Sequence, residues 1–396
     1  MTTFSVRFLG CKVSHVDAQE IRERLFADGH AELDDGADVA IVNTCCVTHE
    51  AVRKSRHAAS RAARTHRRVY VTGCGASLAA DGFSGLPENV TVVARRSEET
   101  PDAVARDVGA IGCVRADFHL ERVRAFVKVQ DGCSFSCAFC VIPQVRGSSR
   151  SRPAEAVLRE IRRRVAQGHR EVVLTGINLG CYRDREAAYG LPRLVREAGS
   201  VPGLARLRLS SIEINHVNAE LGRALRETPT VARHLHVPLQ SGDDAMLRAM
   251  RRRYTAAGYL RKVEPLSDFQ LTTDVIVGFP GEDEAAFAAT LATVERAGAT
   301  KVHVFPYSPR PGTVTAAEDT VPAAVKRERS ARLRAWSDRA CRAHWLAKVG
   351  RDDDVLVDRP GRGYGADYSP WLLDAPVGDL VRVRGRAVVE EGILAA

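Results

Sequence analysis

Apolar and polar positions divide the chain into stretches of different period. Residues 4–9 (Phe-Ser-Val-Arg-Phe-Leu) alternate as a half-buried strand does, and Val39-Ala-Ile-Val42 and Arg68-Val-Tyr-Val71 are apolar runs of strand length. Asp17 to Phe26 and His49 to Arg64 lie between them with helical spacing. This alternation predicts an open parallel α/β sheet up to residue 110, and Ala116-Asp-Phe-His119 begins afresh. A second series has strands at 125–129, 171–175, 204–209, 234–237, 271–277 and 301–305, with helices such as 153–167 and 284–297 between them. Six βα units over about 210 residues predict a barrel or an open part-barrel. A basic helix follows at 326–348. Beyond Gly350 the period becomes 2, in 354–358 and 380–386, with turns at Pro360-Gly361 and Gly363, so a small all-β module is expected last.

With 396 residues, 45% hydrophobic and 27% charged, the chain has the proportions of a soluble globular protein of two or three domains. No apolar run approaches membrane-spanning length, and Met1 to Ser5 does not open a secretory signal, so a cytoplasmic chain is expected. The net charge is +9, and only 7 of the 58 basic residues are Lys. Guanidinium forks suit phosphate, which favours a polyanionic partner, although a codon bias toward Arg gives the same composition.

Ten cysteines change the picture: Cys11, Cys45, Cys46, Cys74, Cys113, Cys133, Cys137, Cys140, Cys181 and Cys341. Without an export signal they point to metal or redox chemistry ahead of disulfides. Cys133-Ser-Phe-Ser-Cys137-Ala-Phe-Cys140 sits on the loop after strand 125–129, at the end of a βα unit where barrel active sites collect. Three thiolates at this spacing can hold three irons of a cubane cluster and leave the fourth open; a three-cysteine zinc site is the competing use. The loop resembles the signature of the radical S-adenosylmethionine superfamily, including the aromatic Phe139 before the last cysteine. The resemblance implies a 4Fe-4S cluster on Cys133, Cys137 and Cys140, whose open iron binds S-adenosylmethionine and whose electron generates a 5′-deoxyadenosyl radical.

Cys11, Cys45 and Cys74 each follow a predicted strand, within Leu9-Gly-Cys-Lys-Val13, Asn43-Thr-Cys-Cys-Val-Thr48 and Thr72-Gly-Cys74. In an open α/β sheet such ends face one crevice. The three could ligate a second cluster, whereas a single cysteine there is commonly a small buried hydrophobe. Together the two sets resemble the methylthiotransferase family over nearly the whole chain. Thr175-Gly-Ile-Asn178, Arg208 to Glu213, His236 to Gly242 and Thr273 to Glu282 agree with it in order. The resemblance implies an N-terminal methylthiotransferase domain (1–112), a radical S-adenosylmethionine partial (β/α) barrel (118–335) and a C-terminal small β-barrel of the TRAM kind (340–396). It also implies a second 4Fe-4S cluster on Cys11, Cys45 and Cys74. Gly176, Ser211, Glu213 and Gln240 would line the S-adenosylmethionine pocket. Cys46, Cys113 and Cys341 are expected to pack as small apolar groups, and Cys46 and Cys181 are departures from the residues common in the family.

Known branches modify isopentenyladenosine in tRNA, threonylcarbamoyladenosine in tRNA, or an aspartate of a ribosomal protein. Leu9 to Val13 and Arg251-Arg-Arg-Tyr254 resemble the threonylcarbamoyladenosine branch, with Ser14 where that branch usually has Asn. The expected partners are the anticodon stem-loop of tRNA and an electron donor such as a flavodoxin or ferredoxin, with the chain a monomer. Three basic stretches could track phosphates: residues 53–68, Arg248 with Arg251 to Arg253, and helix 326–348. Residues 346–396 carry 7 basic against 9 acidic side chains, but Arg382, Arg384 and Arg386 share one strand face, and Tyr364, Tyr368 or Trp371 could stack on a base. A non-catalytic iron-sulfur RNA-binding protein is the rival from another class.

Overall fold

The computed structural model describes residues 1–78, 80–94, 99–109 and 123–396. The predicted start at 116–119, the junction between the first two expected domains and Cys113 lie outside the described residues.

The first unit runs β1 (Thr3–Phe8), α1 (Lys12–Ala27), β2 (Ala31–Glu32), β3 (Val39–Thr44), α2 (His49–Ala63), β4 (Arg68–Thr72), α3 (Gly73–Leu78), β5 (Val90–Val92) and α4 (Thr100–Val108). Its strands form one parallel sheet in the order β2-β1-β3-β4-β5. All of β3 is buried, because both faces of a parallel sheet are covered. Phe4, Ile21, Leu25, Ile41 and Tyr70 pack on one side, and Val42, Ala59, Val69, Val71 and Ala76 on the other. Helix α1 begins at Lys12, not Asp17, since Val13 and Val16 extend its buried stripe toward Cys11.

The second unit contains β6 (Arg124–Asp131), α5 (Ile142–Arg146), β7 (Arg150–Ser151), α6 (Ala154–Ala166), β8 (Glu171–Gly176), the hairpin β9 (Arg183–Asp184) and β10 (Tyr189–Gly190), α7 (Leu191–Gly199), β11 (Arg206–Leu209), α8 (Ala219–Glu227) and β12 (His234–His236). It continues with α9 (Asp244–Ala249), α10 (Ala256–Val263), β13 (Gln270–Val277), α11 (Glu284–Arg296), β14 (Ala299–Pro306) and α12 (Ala323–Leu346). β6, β8 and β11 pair in parallel, as do β12, β13 and β14. The two sheets meet through single bridges, Leu207 to Val231 and Ser211 to His236. β6 and β14 are not paired among the described residues, so the six strands make an open part-barrel. Val127, Val172, Leu207, Leu235, Val275 and Val302 turn outward under the helices, leaving the inner face to the alternate residues.

β15 (Asp352–Arg359), β16 (Arg362–Tyr364), β17 (Pro370–Leu372), β18 (Leu380–Val388) and β19 (Ile393–Ala395) close into a small barrel in the order β15-β16-β17-β19-β18. Val355, Trp371 and Ile393 fill it and are fully buried. Trp371 is therefore core, against the expectation that it could stack on RNA: strands this short need one large side chain to fill the barrel. Tyr364 and Tyr368 face the second unit, where the Arg208 guanidinium lies 3.7 Å from the Tyr368 ring centroid. Arg206 and Arg208 donate to the main-chain carbonyls of Tyr364 (2.8 Å), Gly365 (2.7 Å) and Ala366 (2.7 Å). Behind them sits the fully buried Glu171, paired with Arg208 at 2.9 Å, Arg206 at 3.5 Å, and Arg124. The small barrel thus plugs the N-terminal end of the part-barrel.

Candidate active site and metal centres

Residues 132–141 loop from the end of β6 to α5. Gly132 adopts φ +67°, and a side chain there would meet the Gly147 carbonyl at 2.7 Å, so the turn requires glycine. The loop is tied by Cys133 N–H to Gly147 O (3.0 Å), Ala138 N–H to Met250 O (3.1 Å) and Cys140 N–H to Cys137 O (3.1 Å). Burial pushes the Cys140 thiol up to about 12, and Cys137 and Cys133 add to the shift. Burial likewise raises Cys133, with Cys137 beside it. Thiols at Cys133 and Cys140 that resist ionisation suit a positively charged metal centre, which would hold them as thiolates. The donor set fits the iron of a cluster.

Arg252 completes this mouth. Its guanidinium reaches Cys137 Sγ (3.2 Å), Glu213 Oε1 (3.2 Å) and the Tyr254 hydroxyl (3.1 Å). Burial works against its charge, but Tyr254, Cys137 and Glu213 outweigh it and hold its pKa above the ordinary range. Glu213 is itself fixed by Asn215 N–H (2.8 Å). Gly176 ends β8, where a larger side chain would press on Gln130, and Ser211 follows β11 and bridges to His236. Gln240 follows β12 in a left-handed conformation (φ +68°), bonded through its backbone to Asp274 and Ile276. Phe139 meets Phe279 edge-on at 6.4 Å, beside Ala138, Met250 and Ile276. The structure thus ties Glu213 to the cysteine loop through Arg252, and sets Gly176, Ser211 and Gln240 at the same barrel end. Arg252, expected in a phosphate-tracking run, instead turns its side chain inward. Cys181 Sγ also lies here, 3.2 Å from His216 Nε2.

In the first unit Cys11 caps the N-terminus of α1, Cys45 and Cys46 follow β3, and Cys74 starts α3 after β4. Because β1, β3 and β4 are parallel neighbours, their loops emerge at one edge. Asn43 Nδ2 donates to Ser14 O (3.1 Å), Thr44 Oγ1 accepts from Ala76 N–H (3.1 Å), and Ser55 Oγ accepts from Cys45 N–H (3.2 Å), which fixes the three loops on one another. Burial pushes the Cys45 thiol up to about 11, with Cys74 and Cys11 contributing. Cys46 is fully buried, and its thiol hydrogen-bonds that of Cys74. This bond and the Arg146 guanidinium (Nε to Sγ, 3.1 Å) lower the Cys74 pKa, while Cys46 moves up.

The two cysteine sets meet. Val141, directly after Cys140, and Val145 of α5 pack against Cys46 and Cys74. Arg146 also bonds Asp17 (2.6 Å) and Asp131 (3.0 Å), and Lys128 bonds Asp17 and Glu20 at 2.8 Å each. A buried ionic seam from α1 to β6 and α5 therefore clamps one cysteine set over the other.

Both cysteine-bearing units match known families: the radical SAM superfamily over residues 127–294, and uncharacterized protein family UPF0004 over residues 3–94. The chain is 35% identical to a threonylcarbamoyladenosine tRNA methylthiotransferase MtaB of Chlamydia pneumoniae, over 99% of this chain and 97% of that protein. It is 33% identical to the protein of that name in Thermotoga maritima, over 100% and 96%. It is 36% identical to a tRNA-2-methylthio-N(6)-dimethylallyladenosine synthase of Sorangium cellulosum, over 92% and 84%. Among solved structures, the radical S-adenosylmethionine methyltransferase TsrM from Kitasatospora setae shares the fold, with a TM-score of 0.59 at 15% identity, over 80% of this chain and 75% of that one.

Fold and cysteine loop thus define a radical S-adenosylmethionine enzyme, a class that uses a 4Fe-4S cluster and S-adenosylmethionine. More narrowly, the chain belongs to the radical S-adenosylmethionine methylthiotransferase family. Among the described residues no helix is long and apolar enough to cross a membrane.

Proposed function

We propose that the protein adds a methylthio group to carbon 2 of N6-threonylcarbamoyladenosine at position 37 of tRNA. The observation that carries this reading is the meeting of the two cysteine loops, where Val141, the residue after Cys140, packs with Cys46 and Cys74 in one small apolar cluster. In this reading the work divides among units 1–112, 118–335 and 340–396. Cys133, Cys137 and Cys140 hold the radical-forming cluster, and Cys11, Cys45 and Cys74 hold a second, sulfur-bearing one. Bound there, the first cluster and S-adenosylmethionine supply an electron and a carbon-centred radical able to take hydrogen from an unactivated C–H bond. Arg252 provides positive charge beside the three thiolates and holds Glu213 in place. Gly176, Ser211, Glu213 and Gln240 border the S-adenosylmethionine site, Phe139 packs the loop beside it, and the part-barrel wall keeps water from the reacting centre. An electron donor such as a flavodoxin or ferredoxin, a cytoplasmic setting and a monomeric chain complete the proposal.

Mass spectrometry of tRNA nucleosides, from a strain lacking the gene beside its parent, tests it. The 2-methylthio form of threonylcarbamoyladenosine should vanish and its unthiolated precursor accumulate; loss of the isopentenyl form instead would reassign the substrate. In purified protein, Cys137→Ala should abolish S-adenosylmethionine cleavage, while Cys74→Ala should retain some cleavage and form no methylthio product. Full product formation by Cys74→Ala would defeat the sulfur-bearing role.

A further inference from the structure

The inner face of the part-barrel is graded along its height. β13 and β14 pair Thr272 with Lys301, Asp274 with His303 and Ile276 with Phe305, and all six lie on the face opposite the helix-covered core. Ile276 packs beside Ala138 and Phe139 of the cysteine loop. Asp274 lies one inner-face step below it, about 7 Å along a strand. The wall is thus apolar beside the cysteine loop and polar beneath it. The polar part gathers His236, Asp274 and His303, whose ligand atoms all lie within 4.8 Å of one another. Lys301, one inner-face step from His303 on β14, and Lys12, whose ammonium lies 5.7 Å from the centre of the Tyr368 ring that meets His234, add positive charge around His303.

Hydrogen bonding decides what this cluster takes. His236 Nε2 lies 3.1 Å from Asp274 Oδ1, which places its proton there. His236 Nδ1 then accepts from the Thr272 hydroxyl (2.9 Å), whose oxygen accepts from His234 Nε2 (3.0 Å). The chain of donors ends at His234 Nδ1, a bare buried nitrogen with no partner among the described residues. A metal on His236 Nε2 would displace the proton that bonds Asp274 and reverse the bond between Nδ1 and Thr272. Two lysines close by oppose a cation further. The unreversed chain leaves Asp274 as an acceptor, with His303 and the lysines available to an anion.

We propose that this cluster receives the N6 substituent of the target adenosine: Lys301, Lys12 and His303 bind a carboxylate, and Asp274 accepts from a hydroxyl or ureido N–H. This rests on reading the chain as a threonylcarbamoyladenosine enzyme and names the residues that select that nucleoside. A prenyl arm would desolvate Asp274 and His303 without replacing their hydrogen bonds, so the site rejects it.

The test uses the full-length reconstituted enzyme and anticodon stem-loops carrying threonylcarbamoyladenosine, isopentenyladenosine or adenosine at position 37. Wild type should bind the first most tightly. His303→Ala and Lys301→Ala should each weaken that binding roughly tenfold to a hundredfold, the effect of one charge-assisted hydrogen bond, so that the three affinities converge. Asp274→Asn should do likewise; should it unfold, the two variants on exposed side chains of β14 carry the test. A wild-type preference that survives all the variants overturns the pocket and leaves the functional reading standing. Equal weakening across the three stem-loops makes the residues general backbone contacts and overturns the pocket as well. A wild-type preference for the isopentenyl stem-loop overturns the functional reading itself. One-to-one zinc binding that His303→Ala abolishes, with stem-loop preference unaltered, makes the cluster a metal site and overturns the proposal.

Discussion

Glu171 and Arg252 are both buried charges, and their neighbourhoods give them different work. Arg252 touches a cysteine and a carboxylate at the barrel mouth, whereas Glu171 is enclosed by Arg208, Arg124 and Arg206 at the opposite end. Burial alone would raise the Glu171 pKa, but the three guanidinium groups hold it below the ordinary carboxylate range. Its stabilising contribution is then complete above the unfolded carboxylate value of about 4.3 and disappears as pH falls through the lower folded value. Glu171→Gln should cost about 3–5 kcal/mol at pH 7, measured by urea unfolding, because it leaves guanidinium groups buried without their counter-charge. The gap between variant and wild type should narrow as the pH is taken below 4.3 toward the folded-state value. No local pattern announces either residue. Arg252 stands in a run of arginines that looks like a solvated face, and Glu171 finds its partners 35 or more positions away on β6 and β11.

Among elements, α3 is tightly constrained where it begins. Gly73 opens it at φ +88°, and an added side chain would collide with Asn43 Oδ1 and meet the Thr44 carbonyl at 2.7 Å. Gly73→Ala should destabilise the chain by more than about 1 kcal/mol. It should also displace Cys74, so that anaerobically reconstituted protein carries about half the wild-type iron if each cysteine set binds its own cluster. Unchanged iron content would mean that Cys74 is dispensable to the second cluster. The elements themselves were legible because buried parallel strands are unbroken apolar runs such as Val39 to Val42, and the cysteine loops stood out because each follows one of those runs. Helix starts were less legible: α1 reaches back to Lys12 because Val13 and Val16 bury against neighbours that the chain pattern does not reveal. The burial of Trp371 and the inward turn of Tyr368 were likewise hidden, since both depend on contacts between units.

Across the whole molecule the basic stretches separate by what neutralises them. In α12, Lys326 pairs with Asp319, Arg329 with Glu282 and Arg332 with Glu284, so part of that charge is structural. On β18, Arg382 and Arg384 stand opposite Asp354 and Asp352 at 3.5–3.7 Å. Arg61, Arg64 and Arg67, at the end of α2 and beyond it, are exposed and make no ion pair among the described residues. Replacing these three by Ala should weaken tRNA binding and flatten its dependence on salt by up to about one unit of slope per lost phosphate contact. The triple change of Arg382, Arg384 and Arg386 should have a smaller effect on both. A larger effect from the β18 triple would place the main RNA contact on the small barrel.

The plug at the barrel base has a consequence for how such a protein diverges. Arg206 and Arg208 grip the main-chain oxygens of Tyr364, Gly365 and Ala366, and every residue type supplies those oxygens. Drift in the side chain at 366 therefore leaves the grip intact so long as the backbone keeps its course, whereas Gly365 is held to glycine, since an added side chain would meet Asp353 Oδ2 at 2.7 Å and Trp371 Nε1 at 3.2 Å. The outer face of the small barrel is free to change while its attachment stays as it was, much as a tool head changes on an unchanged handle.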